Sequence, residues 1–591
     1  MKKMEQAKQV EVKLEGLGVS KGIAHGEAFV LLNRELQTPV YEIREADKPN
    51  EIKRFQDAVL KTRAEINNLK EALVASIGDA EAAIFDAHLM VLEDVAIMDE
   101  TKSLFAQENF NIEYCYMTVV ERFISAFEKI DDTFIKERIA DLKDVSARLL
   151  GHLLGVESVK IGQFSDAMIL VSSDFTPSDF ALVDKSKILG IISEKGSATC
   201  HTAILSRSLG IPCVVGVKGV VDKISSGDIL LTDGYDGNVF VNPQQETLRV
   251  YNELESVHKQ NQQIFDSSLA SPSETADAQK FNVELNISGA NDIPEGAMRF
   301  SDGIGLFRTE NYFLNCASFP DENSQFETYK SAVLAAQGKP IVIRTLDLGG
   351  DKNLVALKDF QKEENPFMGC RAIRFCLDHP EIFLTQLRAI LRASAFGNVK
   401  ILLPMICSIR EVERARTFIE KAKEQLSEAG IAFNENIEVG VMIEIPSAAL
   451  TVDIIADACD FISIGTNDLV QYLLAVDRVN ESVAHLYEPY HPAVVRTLDM
   501  IVSTARKCGK PVCICGELAA DPIFTPILFA MGVTHFSMSV TAVSEIKFLL
   551  RQLTMKQALE LKNEVLAMKR SRHIVNRLRS FHYETLRRFL K

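Results

Sequence analysis

"IEVGVMIEIPSAALTVDIIADACDFISIGTNDL", residues 437–469, contains two short apolar runs separated by a stretch of helix-forming residues, and each run ends on polar side chains. Alternation of this kind is typical of parallel β-strands joined by helices. Eight such strand-like runs occur in the second half of the chain: 283–288, 303–310, 340–350, 399–406, 437–446, 461–469, 511–518 and 534–539. Because helix-patterned sequence follows most of them, we predict a closed (β/α)8 TIM barrel. A long doubly wound sheet is the alternative.

The first half of the chain has a different pattern. An apolar residue recurs every three or four positions on one face of a long predicted helix, at Ile52, Phe55, Val59, Thr62, Ile66, Leu69 and Leu73. Similar patterns at 80–98, 108–130 and 133–155 predict a bundle of about four helices. Strand-like sequence lies on both sides of the bundle, and "DILLTDGYDGNVFVN" (228–242) has the pattern of a β-hairpin.

These patterns predict a multidomain α/β protein in which the helical bundle is inserted into an α/β domain. We expect that α/β domain to be formed by 1–35 and 157–245, with the helical insertion at 36–156. Residues 246–280 are polar and predict a linker helix and hinge. The barrel is expected over 281–591.

Composition excludes several classes of protein. The formal net charge of −16 over 591 residues argues against a nucleic-acid binder. The eleven cysteines show neither zinc-ligand spacing nor the density of a disulfide framework. No apolar run has the length of a membrane span, and the first residues lack the apolar core of a signal peptide, so a cytoplasmic protein without membrane contact is expected.

Polar residues end the predicted barrel strands, where TIM-barrel active sites form. They are Arg308, Arg344, Glu444, Asn467, Asp468 and Cys515, with Arg371 and Arg478 in adjoining loops. Clustered arginines suit phosphate and carboxylate groups, and two carboxylates are the usual protein share of a Mg²⁺ site. The predicted ligand is a small phosphorylated carboxylic acid held with Mg²⁺ through Glu444 and Asp468.

Two residues have both a structural and a catalytic interpretation. Cys515 stands within an apolar strand, where cysteine usually serves packing, but at the strand end it could donate a proton to a carbanionic product. His201, in "GSATCHTAILSRSLGIPCVVG" (196–216), stands at the predicted start of a short helix among small residues. It either caps a turn or acts as a nucleophile that receives a phosphoryl group.

The motifs together resemble one family. The stretch 196–216 is similar to the phosphohistidine signature of Enzyme I of the phosphoenolpyruvate:sugar phosphotransferase system. The barrel motifs of that family are resembled, in order, by "GIGLFRTE" (303–310), "IRTLDLGGDK" (343–352), "NPFMGCRAIR" (365–374), "VMIEIPSAA" (441–449), "FISIGTNDLVQYLLAVDR" (461–478) and "CICGELAAD" (513–521). The resemblance extends over essentially the whole chain.

The resemblance implies a role for each matching position. His201 would take the phosphoryl group of phosphoenolpyruvate and pass it to a histidine of the carrier protein HPr. Arg308, Arg344, Arg371 and Arg478 would hold the substrate, and Asn467 its phosphate. Glu444 and Asp468 would bind Mg²⁺, and Cys515 would protonate the enolate to pyruvate. It further implies a homodimer through the barrel, movement of the domain that carries His201, and an HPr-binding helical block in which His88 of "FDAHLMVLED" (85–94) lies.

The chain departs from the family pattern next to His201. The family usually has a second glycine, a basic residue and Thr-Ser before the histidine, whereas this chain has Ser197, Ala198, Thr199 and Cys200. Cys200 replaces a hydroxyl group that could cap the helix, and Ser206 stands where alanine is common. These differences predict a working but slower enzyme.

Two other functions fit the same residues. Pyruvate phosphate dikinase and phosphoenolpyruvate synthase also combine a mobile histidine with a barrel, but they carry a large ATP-grasp domain that this sequence does not resemble. A regulatory protein that binds phosphoenolpyruvate without turnover is the alternative from a different class.

Overall fold

The computed structural model divides the chain into two compact units, Met1–Ser256 and Val257–Lys591. It describes residues 11–31, 38–76, 84–127, 133–156, 167–176, 179, 187–196, 200–314, 316, 318–349, 365–478, 480 and 483–589.

An eight-stranded mixed sheet forms the centre of the first unit, with strand order β1-β8-β7-β3-β4-β5-β6-β2. Strands β3, β4, β5 and β6 run parallel, and the other pairs are antiparallel. The predicted hairpin is confirmed as the antiparallel pair β7–β8. The strands are β1 Val12–Glu15, β2 Leu17–Ser20, β3 Ile23–Leu31, β4 Met168–Ser172, β5 Ile188–Ser193, β6 Cys213–Val215, β7 Ile229–Asp233 and β8 Asn238–Val241.

A helical bundle lies in the sequence between β3 and β4, which are neighbours in that sheet. Its described helices are α1 Lys48–Ser76, α2 Ile84–Leu92, α3 Val95–Gln107, α4 Ile112–Phe127 and α5 Thr133–Leu154. The predicted apolar face of α1 is confirmed, because Phe55, Ile66, Leu69 and Leu73 are buried in the core of the bundle. The chain therefore leaves the sheet, forms the bundle and returns to the adjacent strand.

The predicted helix over 80–98 is wrong at its C-terminal end. Helix α2 ends at Leu92, and α3 begins at Val95 with Asp94 as its N-cap. The Asp94 carboxylate accepts hydrogen bonds from the backbone N–H groups of Ala96 and Ile97, which satisfies donors that the start of a helix leaves free. Five helices therefore stand in the described part of the bundle, where four were expected.

Three more helices stand in the described residues of the first unit and of its connection to the second. They are α6 His201–Leu209, α7 Val220–Lys223 and α8 Gln245–Ser267. The last of these is the predicted linker helix, and it ends within the predicted 246–280 segment. No helix in the described ranges combines the length and the hydropathy that a membrane span requires.

The second unit contains a closed eight-stranded parallel barrel, as predicted, which rules out the doubly wound sheet. Each of the eight apolar runs forms one strand. The strands are β9 Asn282–Ile287, β10 Gly303–Arg308, β11 Ile341–Arg344, β12 Val399–Leu403, β13 Glu438–Ile443, β14 Phe461–Ile464, β15 Val512–Ile514 and β16 His535–Met538.

Helices surround the barrel and bury its outer face. They are α9 Glu310–Leu314, α10 Glu322–Ala335, α11 Ile373–Asp378, α12 Pro380–Ser394, α13 Ile409–Glu428, α14 Pro446–Leu450, α15 Val452–Ala456, α16 Thr466–Leu474, α17 Pro492–Lys507, α18 Thr525–Met531, α19 Val540–Arg551, α20 Met555–Ala567 and α21 Ser571–Leu586. The outward side chains of the strands and the apolar faces of these helices form one large buried core. A smaller apolar cluster fills part of the barrel interior. This packing holds the strand ends in place.

Candidate active site

A cavity opens at the C-terminal ends of the barrel strands and contains about 620 Å³ of space, part of it open to solvent. Its lining includes all eight barrel residues that the sequence predicted for the site: Arg308, Arg344, Arg371, Glu444, Asn467, Asp468, Arg478 and Cys515. The barrel topology explains this convergence. Arg308 and Arg344 end their strands, and the carboxyl ends of parallel strands meet at one face.

Carboxylates that the sequence analysis did not single out hold two of the arginines in position. Arg344 forms a buried ion pair with Glu310, and its Nη2 atom lies 3.1 Å from Oδ2 of Asp347. Arg371 Nη2 donates a 2.9 Å hydrogen bond to Oδ1 of the same Asp347. Asp347 therefore links the arginine that ends β11 to an arginine of the connection between β11 and α11. Buried ion pairs of this kind fix geometry more than they add stability.

Asp468 also contacts two arginines, Arg371 and Arg478. Its Oδ2 atom lies 3.6 Å from Arg371 Nη2, and its Oδ1 atom lies 3.1 Å from Arg478 Nη1. The contact with Arg478 lacks hydrogen-bond geometry. Asp468 Oδ1 and Arg478 Nη1 are therefore both buried without a hydrogen-bond partner. Arg308, in contrast, forms no ion pair with any residue that the structure describes. Its guanidinium group is available to a ligand.

Glu444 lies at the bottom of the cavity and carries the clearest electrostatic perturbation. Its Oε1 atom accepts a 2.6 Å hydrogen bond from the backbone N–H of Met405. Burial, together with the negative charges of Asp468 and Asp347, raises the pKa of Glu444 to about 8. A cation at this point would relieve the repulsion between the carboxylates.

The donor set fits a hard divalent cation only if a ligand completes it. In the described ranges, no three His, Cys, Asp or Glu side chains form a metal-binding group. Two buried carboxylates, Glu444 and Asp468, face the cavity, and one Asp468 oxygen accepts no hydrogen bond. Magnesium commonly takes one or two carboxylates and completes its shell with substrate phosphate oxygens and water. The residues present fit that pattern.

Carboxylates offset the arginines of the cavity. Among its described lining residues are four arginines and four carboxylates, Glu310, Asp347, Glu444 and Asp468. The residues predicted from the sequence, four arginines with Glu444 and Asp468, carry an excess of positive charge. Glu310 and Asp347 reduce that excess and a divalent cation restores it, so the cavity suits an anion that arrives with a cation.

Cys515 is 2 % exposed and belongs to the apolar cluster inside the barrel. Burial raises the pKa of its thiol, while a hydrogen bond from Ser463 opposes the rise. The Ser463 hydroxyl lies 3.3 Å from the sulfur atom. The thiol therefore keeps its proton at neutral pH, as an acid requires and a thiolate nucleophile does not.

Asn467 connects two strand ends at the rim of the cavity. Its Oδ1 atom accepts a 3.0 Å hydrogen bond from the backbone N–H of Glu517, and its Nδ2 group donates to the Glu517 carboxylate at 3.2 Å. The close approach depends on Gly516, because a Cβ atom there would lie 1.8 Å from the Thr466 hydroxyl. Asn467 thus joins the start of α16 to the loop that follows β15.

Two non-glycine residues next to the site have positive φ angles. Met405, which donates to Glu444, has a φ of 56°, and Ala372, which follows Arg371, has a φ of 51°. Such conformations cost about 1–3 kcal/mol each and persist where the surrounding fold imposes them. The positions of both Glu444 and Arg371 therefore depend on strained backbone.

His201 lies in the first unit, at the first position of α6. The helix N-terminus presents backbone N–H groups that favour a bound anion. Cys200 is the N-cap and makes no side-chain capping hydrogen bond, as its replacement of a hydroxyl group predicted. Residues 197–199, the rest of the predicted departure from the family pattern, lie outside the described residues.

His88, which the resemblance places in the HPr-binding helical block, lies in the core of the bundle. Its side chain is fully buried, with Nε2 3.2 Å from Asp141 Oδ1 and Nδ1 3.6 Å from Asp144 Oδ2. The ring of Phe85 packs edge-on against it. A histidine enclosed in this way ties α2 to α5 and offers no surface to another protein.

Sequence reasoning missed Glu310 and Asp347, although a signal was present. Both stand in quoted motifs, two residues after Arg308 and three after Arg344, so the rule that selected the arginines at strand ends also applies to them. Phe367 and Met442 also line the cavity, and nothing in their sequence context distinguishes them from core residues.

Comparison with known proteins places this site in a family. Three family models match the chain: the N-terminal domain of a PEP-utilising enzyme at residues 15–138, its mobile domain at 164–237 and its PEP-binding domain at 262–555. The mobile-domain match contains His201, and the PEP-binding match contains the cavity. The fold and the site thus define a phosphoenolpyruvate-utilising enzyme, a class that needs a divalent metal ion.

Full-length relatives narrow the class. Phosphoenolpyruvate-protein phosphotransferases of Bacillus sp. (strain S) and Geobacillus stearothermophilus are each 40% identical over 566 residues, 96% of this chain and 97% of theirs. That of Bacillus subtilis (strain 168) is 38% identical over 563 residues, 95% of this chain and 98% of its own. The chain belongs to the phosphoenolpyruvate-protein phosphotransferase family. The resemblance to Enzyme I is confirmed.

Proposed function

We propose that the protein transfers the phosphoryl group of phosphoenolpyruvate to His201 and then to a histidine of the phosphocarrier HPr, releasing pyruvate. The convergence of four arginines, Glu444, Asp468 and the protonated thiol of Cys515 on one cavity carries this proposal. The reaction breaks the bond between phosphorus and the enol oxygen and forms a bond between phosphorus and an imidazole nitrogen. The enolate left behind needs one proton to become pyruvate.

The arginines divide into two groups on the basis of their contacts. Arg344 and Arg371 are held by Asp347, so they provide fixed positive charges for the phosphate and carboxylate of the substrate. Arg308 has no ionic partner in the described residues, which favours direct substrate binding. Asn467, at the rim, would donate to the phosphate. Phosphoryl transfer mostly requires such positioning and charge neutralisation.

Magnesium would be held by Glu444 and Asp468 together with oxygen atoms of the substrate. When bound, it supplies positive charge that offsets the charge of the phosphate and polarises the bond to be broken. The raised pKa of Glu444 and the unsatisfied oxygen of Asp468 support this assignment.

Cys515 would donate the proton that converts the enolate to pyruvate. Its buried thiol with a raised pKa supports this role, because the proton stays on sulfur until a stronger base forms beside it. The electron pair of the enolate takes the proton at carbon, and the thiolate remains.

HPr would dock on the helical bundle of the first unit. Leu60, Met90 and Val95 are more than half exposed there, on α1, α2 and α3. Ion pairs between Arg63 and Glu93 and between Lys70 and Asp86 align α1 antiparallel to α2, so these apolar side chains share one edge of the bundle. An exposed apolar patch of this kind is typical of a protein-binding surface.

His201 would react at two places, since a single imidazole receives the phosphoryl group from phosphoenolpyruvate in the barrel cavity and gives it to HPr. A movable carrier domain meets this requirement. The match to a mobile domain at 164–237 supports it.

A homodimer through the barrel unit is part of the proposal. Leu450 and Ile454, four residues apart on α14 and α15, are exposed apolar side chains that could form its interface. Analytical ultracentrifugation of wild type and Leu450→Glu tests this, with a shift toward monomer expected in the variant.

Radiolabelled phosphoenolpyruvate tests the transfer itself. Wild-type protein with Mg²⁺ should take up label and pass it to HPr, with one pyruvate formed per phosphoryl group. Val95→Glu should still take up label but transfer it to HPr more slowly, whereas Val250→Glu, an exposed apolar position on α8, should transfer at the wild-type rate. Failure of wild type to take up label would refute the proposal.

A further inference from the structure

One side of the barrel interior is polar. The opposite side holds Leu306, Val342, Leu402, Met442 and Phe461, the other members of the cluster to which Cys515 belongs, and apolar residues of this kind are the usual filling of a TIM barrel. From the cavity toward the other end of the barrel, strands β14, β15, β9 and β16 instead contribute Cys515, Ser463, Cys513, Glu284 and His535. Burial of polar side chains lowers the stability of a protein unless they are hydrogen-bonded, so a row of them inside a barrel calls for a functional explanation.

We call the five side chains of Cys515, Ser463, Cys513, Glu284 and His535 the polar column. Its upper part, next to the cavity, contains the two thiols. Ser463 Oγ lies 3.3 Å from Cys515 Sγ. Ser463 and Cys513 are also paired residues on adjacent strands, so their side chains lie next to each other on the same face of the sheet. All three side chains are buried. The Ser463 hydroxyl therefore stands between Cys515 and Cys513.

The lower part continues to the N-terminal end of the barrel. Cys513 Sγ lies 3.9 Å from Oε2 of Glu284, and Oε1 of Glu284 lies 2.8 Å from His535 Nδ1. The carboxylate fits over Gly305, where a Cβ atom would lie 2.4 Å from its Oε2. His535 is the first residue of β16, and its side chain is 31% exposed. The column thus ends at solvent, at the end of the barrel opposite the cavity.

A buried acid needs a way to recover its proton. If Cys515 protonates the enolate, it becomes a thiolate beneath the bound product, which separates it from solvent at the cavity mouth. Groups in continuous hydrogen-bond contact can transfer a proton in a concerted manner, each gaining one as it gives one away.

We propose that Ser463, Cys513, Glu284 and His535 form a proton relay that reprotonates Cys515 from solvent at the N-terminal end of the barrel. This inference rests on the proposed role of Cys515. Ser463 gives its hydroxyl proton to the Cys515 thiolate and takes the proton of Cys513, which is left as a thiolate. The Glu284 carboxylate accepts the Nδ1 proton of His535 and passes it to Cys513, and His535 takes a proton from water, so one solvent proton reaches Cys515.

Two exchange reactions of the full-length enzyme separate proton delivery from phosphoryl transfer. Phosphorylated enzyme and ¹⁴C-pyruvate exchange carbon into phosphoenolpyruvate in the presence of Mg²⁺. This exchange needs no solvent proton, because Cys515 takes a proton from the methyl group of pyruvate in one direction and returns it in the other. In D₂O the same mixture incorporates deuterium into the methyl group of pyruvate, which requires Cys515 to exchange its proton with solvent. The measured quantity is the ratio of deuterium exchange to carbon exchange, after subtraction of exchange without enzyme.

The relay predicts a fall of about 10- to 100-fold in this ratio for Glu284→Gln and Cys513→Ala. Cys513→Ser keeps a transferable proton and should restore the ratio. Cys459→Ala, another buried cysteine of the same unit, serves as the control for loss of packing and should retain the wild-type ratio. His535→Gln, which is partly exposed, provides the same test if the buried substitutions impair folding.

The outcomes distinguish the two proposals. An unchanged ratio in Glu284→Gln and His535→Gln would overturn the relay and mean that Cys515 exchanges through the cavity mouth. Absence of carbon exchange in wild type would overturn the proposed function instead. A parallel fall of both exchanges, with the ratio unchanged, would assign the column a structural role only and also overturn the relay.

Discussion

Asp347 and Arg371 form a buried ion pair, with Oδ1 of the aspartate 2.9 Å from Nη2 of the arginine and both side chains 3% exposed. The other carboxylate oxygen of Asp347 lies 3.1 Å from Arg344. One carboxylate therefore fixes two guanidinium groups that face the cavity. Because these arginines are fixed before substrate arrives, little conformational entropy is lost on binding.

Replacing Asp347 should weaken both the fold and substrate binding. Asp347→Ala removes one carboxylate partner from each of two buried arginines, Arg344 and Arg371, which costs about 3–5 kcal/mol of unfolding free energy. Phosphoenolpyruvate should bind about tenfold more weakly, since the arginines lose their positions. Urea unfolding and calorimetric titration measure the two effects.

A matched control is available on the outside of the barrel. Glu322 also contacts two arginines, Arg388 and Arg392, but away from the cavity. Glu322→Ala should lower stability without changing the affinity for phosphoenolpyruvate. Unchanged affinity in Asp347→Ala would contradict the positioning role.

Removing the charge of Glu444 should abolish metal binding. Glu444→Gln keeps the size of the side chain but removes one of the two proposed metal-binding carboxylates, so Mn²⁺ binding in the presence of phosphoenolpyruvate, measured by water proton relaxation, should fall at least tenfold. Without metal, the variant should be as stable as wild type or more stable, because wild type buries a carboxylate beside two others.

Glu438→Gln is the comparison for that measurement. Glu438 begins the same strand, is half-exposed and pairs with Lys400 at the other end of the barrel. The Glu438→Gln variant should bind Mn²⁺ as tightly as wild type does. Tight metal binding by Glu444→Gln would show that Glu444 is not a ligand.

Loss of the Cys515 thiol should affect turnover more than binding. Cys515→Ala should form pyruvate about 100-fold more slowly, the usual contribution of a positioned acid, with the dissociation constant for phosphoenolpyruvate almost unchanged. Because burial raises the pKa of this thiol, iodoacetamide at pH 8 should modify Cys515 far more slowly than exposed Cys370. Rapid alkylation of Cys515 would contradict its protonated state.

The fold could be predicted to a large extent from sequence, because the eight apolar runs, each followed by a helix pattern, allow few arrangements other than a barrel. The arginines, Glu444 and Asp468 could be predicted for the same reason, since barrel topology brings strand ends together. The ion pairs between these residues could not be predicted from the sequence. Asp347 bridges Arg344 and Arg371 across 27 positions of sequence, and only three-dimensional packing shows which carboxylate meets which arginine.

The surroundings of His88 could not be predicted either. Its motif matches the docking region of the family, but the sequence does not show that Asp141 and Asp144 of α5 lie beside the ring. Likewise, Asp94 interrupts the predicted helix because its side chain caps α3, an effect that periodicity alone does not register.

Stability should decrease on mild acidification because of His582. This half-buried imidazole of α21 has an Nε2 atom without a hydrogen-bond partner, and burial lowers its pKa below 6.5. The unfolded state therefore binds a proton at a higher pH than the folded state does, so the unfolding free energy falls as the pH falls below 6.5. His582→Gln should reduce this pH dependence in thermal unfolding between pH 7 and pH 5.5.

The control is His573, which is exposed on the same helix. His573→Gln should leave the pH dependence of the melting temperature as in wild type. Equal slopes for wild type and His582→Gln would mean that other groups cause the acid sensitivity.

The central claim is that His201 carries the phosphoryl group, and peptide mapping tests it most directly. After incubation with phosphoenolpyruvate and Mg²⁺, tryptic digestion at alkaline pH and mass spectrometry should find one phosphoryl group on the peptide GSATCHTAILSR, residues 196–207. Fragmentation should place it on the imidazole of His201, and His201→Ala should carry none while still binding phosphoenolpyruvate. A phosphoryl group on any other residue, or an equally phosphorylated His201→Ala, would contradict the account.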